Sequence, residues 1–195
     1  MIENNLIILD KSGNGITLGG EKPRDASNTQ YTKSDVVLDE PVTNAVVRNN
    51  TIQFTETATS GKGISVSSGT GHSLENNVIH FMATQAGTSD NLCYGLPSSP
   101  TDAVTSVDYN ICQIPSGAHW TSAPDAGALS LDAWQRLSSM DKHSRMLDPM
   151  FSDSTTCTPA AGSPLVNAGD ATDSPSVDIN GRIRDSQPDI GALEQ

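Results

Sequence analysis

The sequence predicts an all-β solenoid of short stacked strands, and two observations carry that reading: a repeated six-residue motif and a composition too lean for a broad core. Ile2-Glu3-Asn4-Asn5-Leu6-Ile7 returns as Val47-Arg48-Asn49-Asn50-Thr51-Ile52 and again as Leu74-Glu75-Asn76-Asn77-Val78-Ile79, with Val107-Asp108-Tyr109-Asn110-Ile111-Cys112 as a degraded fourth copy. Apolar residues make up 35% of the 195 and aromatics 4%, whereas Gly and Pro number 16 and 11. That balance calls for many short strands and turns around a narrow, repetitive core.

The elements follow in order along each repeat. A second motif, Gly13-Asn14-Gly15-Ile16-Thr17-Leu18, follows the first copy, and Gly61-Lys62-Gly63-Ile64-Ser65-Val66 follows the second. Asn91-Leu92-Cys93-Tyr94-Gly95-Leu96 is its weak counterpart after the third. The copies lie 45, 27 and 33 residues apart, which reads as two coils, one coil, and one coil carrying an insertion. Strands repeated in this way pair in parallel with their equivalents about 4.8 Å above and below, so like stacks on like. Ile2, Val47, Leu74 and Val107 then form one apolar column, and Ile7, Ile52, Ile79 and Cys112 another. Asn5, Asn50, Asn77 and Asn110 fall at the corner between them, where an amide can both donate and accept along the stack. The glycines are expected at corners that need positive φ.

This pattern resembles the right-handed parallel β-helix superfamily, the pectate-lyase-like fold, whose members include polysaccharide lyases, glycoside hydrolases and surface proteins of unassigned activity. The resemblance implies a right-handed single-stranded parallel β-helix over residues 1–114. Past residue 115 the repeats stop. Ser130 is placed to cap a short helix with Leu131, Trp134 and Leu137 on one stripe, ending near Met140. Trp134-Gln135, Asp141-Lys142-His143-Ser144, Asp148-Pro149-Met150-Phe151 and Asp189-Ile190-Gly191-Ala192 then follow in the order of a C-terminal segment shared by many bacterial β-helix proteins. Residues 115–195 are therefore expected as a cap on the same solenoid, one domain in all, laying a helix and loops over the open end of the core. Nothing in the sequence caps the other end, so the first coil is expected either to continue in a longer protein or to self-associate.

Charge narrows the partners. A formal net charge of −12, from 23 acidic and 11 basic residues, opposes attraction to nucleic acid and to anionic membranes. No apolar run reaches the roughly 18 residues of a membrane span, and the N-terminus lacks the basic-then-apolar order of a signal peptide. The chain reads as soluble; the resemblance implies an extracellular or cell-surface setting. The same charge suits a neutral glycan better than a polyuronate unless Ca²⁺ bridges the carboxylates. Cys93, Cys112 and Cys157 match no zinc spacing; Cys93 and Cys112 either bridge a long loop in an oxidising compartment or stay as thiols.

Two function classes remain. In the first, a carbohydrate-associated module derived from a polysaccharide lyase or glycoside hydrolase, the residue before each Asn pair forms an outward column: Glu3, one unread coil, Arg48, Glu75 and Asp108. Glu75 and Asp108 are then paired carboxylates at a spacing suited to a retaining glycosidase, or hold Ca²⁺ for a lyase, with Arg48 beside the substrate. Lys62 and His80, the latter placed on the Glu75 strand, are the substrate-binding candidates, and residues 19–36 and 81–106 the groove walls. Asp178-x-Asn180-Gly181 matches part of an EF-hand loop, but Ser176 and Gln187 stand at its two anchor positions. In the second class, a non-catalytic structural or interaction solenoid, Arg48 and Glu75 are an ordinary surface ion pair.

Overall fold

The computed structural model describes residues 1–19, 42–82, 90–97, 99–116, 118–123 and 127–195. The chain passes through the same three sheets four times. The first pass is β1 (Ile2–Glu3), β2 (Leu6–Leu9) and β3 (Gly13–Leu18), and the second is β4 (Val46–Arg48), β5 (Thr51–Phe54) and β6 (Gly61–Val66). The third is β7 (His72–Glu75), β8 (Val78–Phe81) and β9 (Leu92–Gly95). A single turn of helix, α1 (Pro100–Ala103), leads into the fourth: β10 (Val104–Asp108), β11 (Ile111–Gln113) and β12 (His119–Ala123). The sheets are ordered β1-β4-β7-β10, β2-β5-β8-β11 and β3-β6-β9-β12, with β13 (Gly127–Leu129) added antiparallel to β12.

The expected fold class is corrected by this topology. The described strands divide among three separate sheets of four, four and five strands, parallel except for β13, plus a fourth, two-stranded antiparallel sheet of β14 (Phe151–Asp153) and β15 (Thr158–Pro159). None of these sheets closes on itself, so the architecture is a multi-sheet fold rather than the single right-handed β-helix expected. The physical reason lies beyond residue 115. The third sheet ends in an antiparallel turn-back, and past a single parallel bridge from Arg145 to Ile111 the chain leaves the stack instead of continuing it.

Two finer expectations also change. Ile2 pairs directly with Val47 and Glu3 with Arg48, so the 45-residue interval is one pass with a long insertion, not two coils. Gly15 and Gly63 lie inside strands, and close approach requires them there. A Cβ on Gly15 would sit 2.5 Å from the Ile52 side chain, and one on Gly63 2.6 Å from that of Ile79. In the next step of that series Cys93 takes the glycine position and Cys112 the isoleucine position, and the two are joined as a disulfide.

The positive-φ corner falls to the first Asn of each pair, with φ of 54° at Asn4, 51° at Asn49 and 55° at Asn76, a region Asn tolerates better than most residues. The second Asn bonds along the stack. Asn5 Nδ2 donates to Asn50 Oδ1 (2.9 Å), Asn50 Nδ2 to Asn77 Oδ1 (3.0 Å) and Asn77 Nδ2 to Asn110 Oδ1 (3.2 Å). Each backbone N–H reaches the same acceptor, at 3.1, 3.1 and 2.8 Å. Inside, Val47, Leu74, Ile52 and Ile79 are fully excluded from water, and Phe54 stacks on Phe81 with centroids 4.2 Å apart.

The C-terminal segment does two jobs in two places. Ser130 caps α2 (Leu131–Ser138) by accepting from Ala133 N (3.3 Å); Leu131 and Trp134 are buried, whereas Leu137 is 54% exposed and off the stripe. This part covers the fourth pass. Residues from about 148 onward then run back along the outer face of the second sheet, where Leu165 and Ile190 pack on Val78 and Ile111. They reach the first pass, where Asn4 Nδ2 donates to Val177 O (2.7 Å) and Arg184 donates to Asn4 Oδ1 (3.1 Å). Half of the expected end cap is thus a strap along one side.

Asn77→Ala should cost roughly 3 kcal/mol in urea unfolding, because it orphans buried donors and acceptors on both neighbouring passes. Asn5→Ala, at the exposed end of the same row, should cost less than about 1 kcal/mol. Equal losses would refute the ladder as a source of stability.

Candidate functional site

Strand alternation turns Val47, Leu74 and Val107 inward and puts Glu3, Arg48, Glu75 and Asp108 on the opposite face of the first sheet. Their register is direct: Glu3 opposite Arg48, Arg48 opposite Glu75, and Glu75 opposite Asp108. The structure therefore brings three of the five candidate residues into one column. It separates the other two. His80 stands on β8 in the second sheet, not on the Glu75 strand; its Nδ1 bonds Gln53 Oε1 (3.1 Å) and its ring meets Phe151 edge-on, beneath the C-terminal strap. Lys62 stands on β6 in the third sheet, its aliphatic stem running past Gly95. Of the expected groove walls, residues 20–36, 83–89 and 98 lie outside the described residues.

Within the column each charge has a partner inside the molecule. Arg48 turns away from Glu75 and pairs with Glu3, Nη2 to Oε2 at 2.8 Å, which corrects the expected Arg48–Glu75 ion pair. Glu75 is only 2% exposed and accepts a short hydrogen bond from Ser106 Oγ. Burial pushes its carboxyl up to about 8; the Ser106 bond opposes that rise, and the negative charges of Asp173, Asp108 and Asp141 add to it. At neutral pH Glu75 is therefore mostly protonated. Asp108 is held by the cap: Oδ1 accepts from Tyr109 N (2.8 Å) and His143 N (2.7 Å), and Oδ2 lies 2.8 Å from His143 Nδ1.

Three residues of this cluster escaped the sequence reading as a site. Ser106 and Tyr109 carry no motif of their own, and His143 stands in the sequence only as part of the Asp141-Lys142-His143-Ser144 stretch. One signal was present: Tyr109 interrupts the Asn column. It keeps the left-handed backbone of the Asn residues it replaces, φ 53°, and its ring stacks on His143 with centroids 4.4 Å apart. A second buried acid lies behind the cluster. Asp141 accepts from Trp120 Nε1 (3.0 Å), Trp134 Nε1 (2.7 Å) and Ser144 Oγ, and burial still pushes it up to about 6.

The residues present do not fit a Ca²⁺ site. The Glu75 carboxyl is mostly protonated and engaged by Ser106, both Asp108 oxygens accept from His143, and a cation, Arg48, is next in register. Among the described residues no group of three or more His, Cys, Asp or Glu side chains is placed to hold a metal ion. In the partial EF-hand match, the Asp178 oxygens accept from the backbone N–H groups of Asn180, Arg182 and Glu194. A shallow depression of about 480 Å³ lies beside α2, walled by Ser130, Asp132, Gln135, Arg145, Met146 and Leu147 among others, and neither Arg48, Glu75 nor Asp108 lines it. No helix among the described residues is long and apolar enough to cross a membrane.

Comparison with protein-family models, with curated proteins and with solved structures finds no match.

Two measurements follow from this geometry. A carboxyl raised from 4.5 to about 8 by folding stabilises the folded state fully below pH 4.5 and loses that contribution as pH rises toward 8. Glu75→Gln, which keeps the Ser106 acceptor and cannot ionise, should match the parent near pH 4.5 and become the more stable protein above it. The gap should grow by up to about 1.4 kcal/mol per pH unit, and a pH-independent gap in thermal unfolding would show that Glu75 titrates normally. Tyr109→Asn should raise stability by about 1 kcal/mol if backbone strain outweighs the ring stack; a loss would show that the stack does more than offset it.

Proposed function

We propose that the chain is a non-catalytic interaction module of a surface or exported protein. The observation that carries this reading is the internal use of the outward charges: Arg48 on Glu3, Glu75 under Ser106 at 2% exposure, and Asp108 on His143. A glycosidase or lyase needs its acid and base open to a sugar ring, and the depression beside α2 has none of them in its walls. The buried Cys93–Cys112 disulfide supports an oxidising compartment, where such bonds persist.

A second reading, a carbohydrate-active module, is favoured by one observation. Glu75 holds its proton to about pH 8 beside a second carboxyl, Asp108, one strand away, and carboxyl pairs with unlike environments are how glycosidases divide acid from base.

Incubation with neutral glucans, galactans and polyuronates, read by reducing-end release and by the ultraviolet absorbance of unsaturated uronides, separates the two. No product is expected on any of them. Turnover that disappears in Glu75→Gln would overturn the module reading in favour of catalysis at the column.

A further inference from the structure

We infer that α2 is a proton-latched flap over the last strands of the third sheet: it lies closed while the buried Asp141 carboxyl carries a proton, and lifts locally, ahead of the four passes, once that carboxyl ionises. The inference goes beyond the reading of the chain as an interaction module and does not depend on it.

The latch is built on one residue. Asp141 is fully excluded from water and joins α2 to the fourth pass. Toward α2, Oδ2 accepts from Trp134 Nε1 (2.7 Å) and the backbone O accepts from Gln135 Nε2 (2.6 Å). Toward the fourth pass, Oδ2 accepts from Trp120 Nε1 (3.0 Å) and the backbone N donates to Val107 O (2.6 Å). The other oxygen, Oδ1, accepts from Ser144 Oγ, which itself accepts from Asn110 N (2.9 Å) and so closes the far end of the Asn row. Little else holds the helix. It packs on β12 and β13, but of its eight residues only Leu131 and Trp134 are buried, and Arg136 and Leu137 are exposed. An element with so few buried side chains belongs to the part of a fold that opens first.

An ionised Asp141 has no countercharge in this setting. From the packed strands it meets Asp108 on β10, Glu75 on β7 and Tyr94 on β9, all of them acids, and from β12 the half-buried His119. On α2 the charged residues are Asp132 and Arg136, and on its own segment Lys142, His143 and Arg145, every one of them exposed. Among the described residues no cation pairs with Asp141, and His143 is taken by Asp108. Protonation, by contrast, keeps the bonds. A proton on Oδ1 leaves both indoles on Oδ2 and reverses the Ser144 bond, because that hydroxyl has a second lone pair beside the one that takes Asn110 N–H. Burial accordingly pushes the carboxyl from 3.8 up to about 6 against the pull of its three donors. A group raised in this way holds the closed form fully below 3.8 and loses that contribution as pH rises through about 6. Lifting α2 uncovers Trp120, so pH sets how often the end of the third sheet is exposed.

The test is hydrogen exchange of the intact protein across this range, corrected for the intrinsic effect of pH on amide exchange. The opening constant at the Trp134 and Ser139 amides, both bonded within the helix turn, should rise about tenfold per pH unit between 3.8 and 6 and level off above. At every pH it should exceed the opening constant at the Thr51 and Val78 amides, which bond between passes. Acrylamide quenching of Trp120 and Trp134, the two Trp residues of the chain, should increase over the same range. Asp141→Asn, which can donate to Ser144 but cannot ionise, should remove the rise, and Glu75→Gln should leave it in place. A flat profile at α2, one opening constant shared by α2 and the passes, a rise that survives Asp141→Asn, or a rise lost in Glu75→Gln would overturn the proposal. If Asp141→Asn does not fold, the two sets of amides in the parent protein decide the matter alone.

Discussion

The constraint on which the rest depends is the row of Asn side chains from Asn5 to Asn110. A parallel strand pair fixes spacing but tolerates slips, and a one-residue slip turns every inward side chain outward. Asn50 and Asn77 each accept from the pass before and donate to the pass after, with Asn5 and Asn110 at the two ends of the row, so a slip of register breaks these amide bonds. The apolar columns then follow without further instruction. Val47 meets Leu74, Ile52 meets Ile79, and Phe54 meets Phe81 because the Asn residues beside them have already met.

The register was legible because parallel stacking repeats like on like, so chemistry that recurs in space recurs in sequence. Even the weak Asn91–Leu96 copy falls where its alignment places it, Leu92 on Lys62 and Tyr94 on Ile64. The 45-residue interval was not legible, because an insertion and an extra coil have the same length and only pairing tells them apart. Gly15 and Gly63 were misread for a related reason. A glycine demanded by a neighbouring side chain looks, in one dimension, the same as a glycine demanded by positive φ. The contact of His143 with Asp108 joins segments 35 residues apart with no repeat between them, and no local pattern encodes such a contact.

The closed end shows how the row is terminated without being extended. Ser144 accepts the last Asn N–H on its hydroxyl and donates its own O–H in a hydrogen bond to Asp141, which also accepts from the indole N–H groups of Trp120 and Trp134. One acid thus joins the end of the Asn row to the third sheet through Trp120 and to α2 through Trp134. Three donors usually hold a carboxylate ionised, yet burial among two indoles outweighs them and moves Asp141 up to about 6. The contribution of Asp141 is therefore fully present below its unfolded value of 3.8 and is lost as pH rises through about 6, the same direction in which Glu75 acts one pass away.

That shared direction bears on what the acidic column is for. With a formal charge of −12, the chain gains by keeping any carboxyl neutral that it must bury among others, and Glu75 lies within the fields of Asp108, Asp141 and Asp173. Protonation relieves that repulsion without requiring a substrate. Tyr109 is harder to account for in this way. An Asn would hold the same left-handed corner with less strain, and strain retained beside a charged cluster commonly marks a working part of a protein. Its ring, however, lies flat on His143, which clamps Asp108, so the strain is opposed by the contact that fastens the cap to the fourth pass. A mechanical role accounts for both the buried acid and the strained backbone at Tyr109, whereas catalysis accounts for the acid alone.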